Sequence, residues 1–282
     1  MIGGMPPPFQ GQSIAFAAAV QAVGGAHASK VIDFSRRRKG IKSFLDLICF
    51  MIAVPLALIT FRPTKIYFLC SRSFVGGLRD IYLLLFFRMS SADVYNHLHG
   101  SDFVEYYSSR SIWLQKLLKV LYRRVNYHAV LIEGMQEQLE AVAPSANIVV
   151  VNNFFEDFTQ PLEKLENKGR CSDGLSICFL SSICRSKGVF DVIDAFKIFE
   201  QGHPGAKLRI AGAPIDDEFG DAKSHHHKLS HASVSNPNIE YLGELDKSEK
   251  YELLNKSDIF CLPSSFRSEA VPLAIIEAMA AG

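Results

Sequence analysis

Glu269 and Glu277 stand eight residues apart near the end of the 282-residue chain, and Pro272 between them marks the start of a helix. A carboxylate offers two acceptor oxygens, so such a pair can hold hydroxyl groups. The backbone N–H groups around Val271 to Ala274 would point at an anion, because the first turn of a helix leaves them without partners. Acidic residues at this spacing are common, and the pair alone decides nothing. Three other places carry candidate chemistry. Lys187 precedes Gly188 at the start of a helix, His99 closes a strand beside Gly100, and Gly11 with Gln12 leaves a proline-rich loop to open a helix. His225, His226, His227 and His231 raise the question of a metal, but no cysteine or carboxylate stands at convincing spacing. That stretch reads as a solvated helix.

Alternating strands and helices must position these groups. From the N-terminus the pattern predicts a helix over 12–23, a strand over 30–34, a buried apolar helix over 44–61 and a strand over 65–70. Helices over 78–88 and 112–124 and strands over 94–98, 129–132 and 148–151 follow, with a further helix at 136–141. Such alternation implies a parallel sheet covered by helices on both faces. A second series runs from a strand at 175–180 to a helix from about Pro272. The polar stretch between them reads as a linker. The division is therefore 1–157, linker 158–174, and 175–282, two Rossmann-like halves that would bind a ligand at the C-terminal ends of their strands.

Within residues 179–282 the order and spacing resemble the donor-binding domain of glycosyltransferase family 4. The residues that carry the resemblance are Ser181-Ser182 with Lys187-Gly188, Leu208 to Gly212, Tyr241-Leu242-Gly243, and Asp258 to Ser264 running into Glu269-Ala270-Val271-Pro272-Leu273 and on to Glu277-Ala-Met-Ala-Ala-Gly282. The resemblance implies a GT-B fold of the α/β class, two Rossmann-like domains facing a cleft, with the second incomplete where the chain stops. It implies a retaining transfer of a sugar from a nucleoside diphosphate to an acceptor hydroxyl, without a metal. Glu277 would accept from the ribose hydroxyls, Glu269 would contact the donor sugar, and Lys187 would hold the diphosphate. Many relatives carry an arginine where this chain has Ser182. Either Arg185 substitutes, or the phosphates rely on Lys187 and the helix dipole.

The first half is similar to the family's acceptor domain more loosely. Gly11 and Gln12 stand where relatives approach the donor phosphate, and His97 to Phe103 looks like the family's His-Gly-x-x-Phe segment, making His99 the acceptor-side choice. Gly76-Gly77 with Arg79-Asp80 is similar to bacterial enzymes of capsule, exopolysaccharide or lipopolysaccharide synthesis, so the expected acceptor is a glycan or a lipid-linked sugar. The alternatives are a partial, inactive fragment that keeps only sugar-nucleotide binding, and a GT-B-type sugar-nucleotide epimerase.

Composition sets the surrounding bounds. With 48% hydrophobic and 21% charged residues the chain is a folded globular one, and its net charge of +1 gives no global field for nucleic acid. The six scattered cysteines show no CxxC pair, and Cys49, Cys178 and Cys261 lie in apolar runs that suit buried reduced thiols. The N-terminus lacks the pattern of a secretory signal, so a cytoplasmic enzyme is expected. The apolar run 44–61 contains Asp46 and Pro55 and reads as a buried helix rather than a membrane span. Beside it the basic run 36–39 adds the expectation of a peripheral contact with the inner face of the plasma membrane.

Overall fold

Aromatic and branched residues crowd five-residue runs such as KIYFL and SICFL, which suits strands of a parallel sheet. The structure, a computed structural model, describes residues 1–6, 11–35, 41–144, 147–154 and 174–282, with the side chains of 41–44 left aside. Two compact units divide it, 1–154 and 155–282. The basic run 36–39, nearly all of the linker and loop residues 7–10 lie outside the described residues.

The first unit runs β1 (Ile2–Gly3), α1 (Gly11–Gly24), β2 (Ile32–Asp33), α2 (Ile41–Phe61), β3 (Lys65–Leu69), α3 (Phe74–Phe87) and β4 (Asp93–Leu98). It continues with α4 (Phe103–Ser108), α5 (Ile112–Tyr122), β5 (Tyr127–Val130), a 3-10 turn (Glu133–Gln138) and β6 (Ile148–Val150). The sheet is parallel in the order β2-β1-β3-β4-β5-β6. Right-handed crossovers that advance from β2 to β5 put α2, α3 and α5 on one face. The opposite step from β1 to β2 puts α1 on the other. Helix cover on both faces was expected; here the α1 side keeps a groove of about 460 Å³, lined by Ala18, Tyr67, Tyr95, His97, Tyr127 and Val149 among others. The rings of Tyr95 and Tyr127 stack in it at 5.3 Å.

Residues 44–61 do form a helix, but not a buried one. Among its described side chains α2 buries only Val54 and Ala57. An apolar run reports a preference for leaving water, not the presence of a neighbour to cover it. Pro55 lies inside α2 and has no N–H to give the Met51 carbonyl one turn back. The Tyr82 hydroxyl of α3 donates to that carbonyl instead, tying the two helices together. Cys49, expected to be buried, is exposed on α2, whereas Cys70, Cys178 and Cys184 are buried and Cys261 is half-buried. The helix expected at 136–141 is the 3-10 turn, displaced toward the N-terminus, and α4 was not anticipated. Among the described residues no helix is long and apolar enough to cross a membrane.

The second unit runs β7 (Ser176–Leu180), a 3-10 turn (Arg185–Lys187), α6 (Val189–Gly202), β8 (Lys207–Ala211), α7 (Ala222–Ser235), β9 (Ile239–Gly243), α8 (Lys247–Asn255), β10 (Ile259–Phe260) and α9 (Leu273–Ala281). Its parallel order is β10-β7-β8-β9. Alternation along β7 sends Ile177 and Phe179 into a core with α6 and α7, and Cys178 and Leu180 into a second core with α8 and α9. Both faces are covered. Asp221 caps α7 through Ser224 N, and Asp246 with Glu249 forms a reciprocal capping box on α8.

The units also differ in charge. Residues 1–154 carry 16 Lys and Arg against 9 Asp and Glu, net +7, while residues 155–282 carry 14 against 20, net −6. The near-neutral total therefore conceals two opposed net charges.

Candidate functional site

In the second unit the loops that follow β7 and β10 bring chemistry together. Beyond β7 the chain turns through Arg185–Lys187 into Gly188, whose φ of +79° is left-handed. A Cβ there would also lie 2.5 Å from the Pro263 carbonyl, so glycine lets the two loops meet. Ser265 completes the join: its N–H donates to the Ser186 carbonyl at 2.8 Å and its hydroxyl at 3.2 Å. Lys187, nearly buried, then forms an ion pair with Glu269 and sets its ammonium 4.6 Å from the centre of the Phe266 ring.

The turn that carries Lys187 is held from behind by Asp217. Its Oδ2 accepts from Ser186 N and Ser186 Oγ, both at 2.9 Å, and its Oδ1 accepts from Phe219 N and meets His225 Nε2, again at 2.9 Å. Burial works against the charge of Asp217, yet the hydrogen bonds from Ser186, Phe219 and His225 hold it well below the usual carboxylate range. His225 is thus fully buried, an exception in a helix whose His226, His227 and His231 are exposed as expected. Sequence reasoning missed Asp217, Ser186 and Phe266. The only local signal was the acidic triplet Asp216-Asp217-Glu218.

Glu277 lies half-buried on α9, whose Ala274, Ala278 and Ala281 pack on the sheet. Pro272 is the N-cap, in extended geometry, and not part of the first turn as expected. The turn begins at Leu273, which leaves Glu269, Ala270 and Val271 in the approach to the helix. Arg185 is not gathered with Lys187 and Glu269: it is exposed, with its guanidinium 5.4 Å from the Phe219 ring centre.

The first unit holds a second group. His99 follows β4 and its ring lies 4.0 Å from that of His97, whose Nδ1 shares a 2.8 Å hydrogen bond with Tyr67. Burial lowers the His97 pKa to about 4, and burial followed by the charges of His97 and Arg72 holds His99 well below the usual range. Both rings are neutral at pH 7 and face the groove beside α1. A Cβ at Gly100 would meet the Arg72 guanidinium, which pairs with Asp102, so a side chain there would have to displace that arginine. Gly11 and Gln12 form the first turn of α1, at the surface.

Residues 163–282 match the family of glycosyl transferases group 1. The second unit resembles the group 1 glycosyl transferases. Over 96 residues the chain is 33% identical to glycogen synthase of Mycobacterium tuberculosis, covering 34% of this chain and only 21% of that enzyme. In fold it is similar to a trehalose-6-phosphate protein from E. coli bound with UDP-2-fluoro glucose, with a TM-score of 0.62, 12% identity, and coverage of 98% and 81% of the two chains. TarM from S. aureus, in complex with UDP, gives a TM-score of 0.56 at 15% identity, covering 82% of this chain and 43% of TarM. These likenesses establish a GT-B-like α/β fold with two parallel sheets. The family's match encloses Lys187, Glu269 and Glu277.

Proposed function

We propose that the chain is a retaining glycosyltransferase that moves a sugar from a nucleoside diphosphate, uridine diphosphate foremost, to an acceptor hydroxyl. The observation that carries this reading is the nearly buried Lys187–Glu269 pair, held on two stitched loops inside the stretch that matches the group 1 glycosyl transferases. Support for the uridine nucleotide comes from the two similar structures that hold it.

In this reading Lys187 and the N–H groups opening α9 meet the diphosphate, where negative charge grows as the leaving group departs. Ala270, Val271, Pro272 and Leu273 shape that approach, Glu269 accepts from donor-sugar hydroxyls and Glu277 from the ribose. Arg185 swings from Phe219 to a phosphate only on a rotamer change. The bond from the anomeric carbon to the phosphate oxygen breaks, the bond to the acceptor oxygen forms on the same face, and the acceptor proton passes to the released phosphate. In the first unit, neutral His99 takes the acceptor side, and Gly11 with Gln12 offers N–H groups to an anion. The acceptor is a glycan or lipid-linked sugar of capsule, exopolysaccharide or lipopolysaccharide synthesis on the cytoplasmic side.

A nucleotide-release screen over uridine, guanosine and adenosine diphosphate sugars tests the reading. Donor-dependent release that vanishes in Glu277→Ala is expected. Sugar-nucleotide binding that survives both Glu269→Ala and Glu277→Ala would sink it, and epimerised donor without transfer would replace it with an epimerase.

A further inference from the structure

The outer face of the helix layer in the first unit is unlike a water-facing surface. α3 packs against both α2 and α5, and all three lie on one side of the sheet. On α2, Leu45, Ile48, Ile52, Leu56 and Ile59 recur at steps of three and four, one stripe of a helix, and all are exposed, Ile59 by 70%. On α3, Val75 is 66% exposed and Leu78 lies a turn further along. At the start of α5, Ile112 is 68% and Trp113 86% exposed. Single exposed apolar residues are ordinary, but an apolar surface continued over three adjoining helices marks an interaction site.

Charge decides what covers it. Helix α5 carries Lys116 and Lys119 and no acidic residue, both lysines exposed between Ile112, Trp113 and Val120, with exposed Arg123 just beyond its end. The whole unit is net +7. A second copy docking by the same face would set like charge against like. Anionic lipid headgroups complement it: lysine stems lie along apolar surface while their ammonium groups reach phosphates, and tryptophan favours the interfacial level. At about 1.5 Å per residue, α2 is roughly 30 Å long and can lie flat in the interface.

We propose that the first unit seats the outer face of α2, α3 and α5 on an anionic lipid bilayer surface, with Trp113 at headgroup depth. The inference stands on this surface alone and is independent of the donor chemistry proposed above.

Trp113 is the chain's single tryptophan and so reports on its own burial. The test uses the full chain with phosphatidylcholine vesicles, with and without phosphatidylglycerol. Expected are a blue-shifted Trp113 emission, quenching by brominated lipid and co-sedimentation with the anionic vesicles, all weakened by salt. Lys116→Glu with Lys119→Glu should lower the affinity on the order of tenfold or more. Val75→Asp with Ile59→Asp should remove binding while unfolding and any donor-dependent nucleotide release in solution stay unchanged. Unshifted emission with the protein left in the supernatant overturns the proposal, as does equal binding to neutral vesicles. A concentration-dependent dimer that shields Trp113 without lipid overturns it in favour of a second copy.

Discussion

Each unit buries an aspartate carboxylate beside a strand-end loop, and the two are tuned in opposite directions. Asp80 in the first unit accepts from Ser71 N at 2.6 Å, pairs with Arg79 at 2.7 Å and meets the Tyr122 hydroxyl at 3.2 Å. Its burial outweighs these partners and raises its pKa. Asp217 in the second unit has a comparable set of donors, yet there the donors win and its pKa falls. The difference teaches that a similar set of hydrogen bonds serves two ends. Around Asp80 a packed core works against the charge; around Asp217 the charge organises the turn that presents Lys187.

Substitution at Lys187 is the severest way to test that contrast. Lys187→Ala should lower kcat for nucleotide release by roughly a hundredfold to a thousandfold, as loss of a group that meets developing charge does. Next comes Asp217→Asn, expected to cost about 3 kcal/mol of stability by denaturant unfolding, because a buried charged acceptor with three protein partners is replaced by an amide that cannot satisfy them all. An unchanged midpoint would mean that the network is ornamental.

Acid should separate the units. His97 and His128, both lowered to about 4 in the folded state, bind protons more readily when unfolded. The first unit should therefore lose stability as pH falls from about 6.5 toward 4, by on the order of 2–3 kcal/mol per histidine. Asp217, depressed when folded, keeps its contribution until pH falls below its ordinary value near 3.8. Hydrogen exchange across this range should show the first unit opening first; simultaneous opening would dissolve the distinction. Asp80→Asn should cost only about 1 kcal/mol, since the folded state already disfavours its charge. Smallest of all, Arg185→Ala should change turnover less than about tenfold, in keeping with a guanidinium resting on an exposed ring.

The order of strands and helices was legible because apolar periodicity is local, and the family resemblance singled out Lys187 and Glu269 without announcing the ion pair between them. Asp217 was invisible because its partners Ser186 and His225 stand 31 positions before and eight after it, and nothing in local spacing announces such a meeting. The exposure of α2 was misread for a related reason: hydrophobicity does not name its neighbour. The opposed charges of the two units escaped notice because they cancel in the total.

The join between Ser265 and Ser186, with Gly188 seated against Pro263, has a last consequence. The two loops cannot relax separately, so lysine and first glutamate behave like the jaws of a fixed gauge. Adaptation to a new donor then has to be written in the side chains around the gauge and along α9, while its opening stays constant.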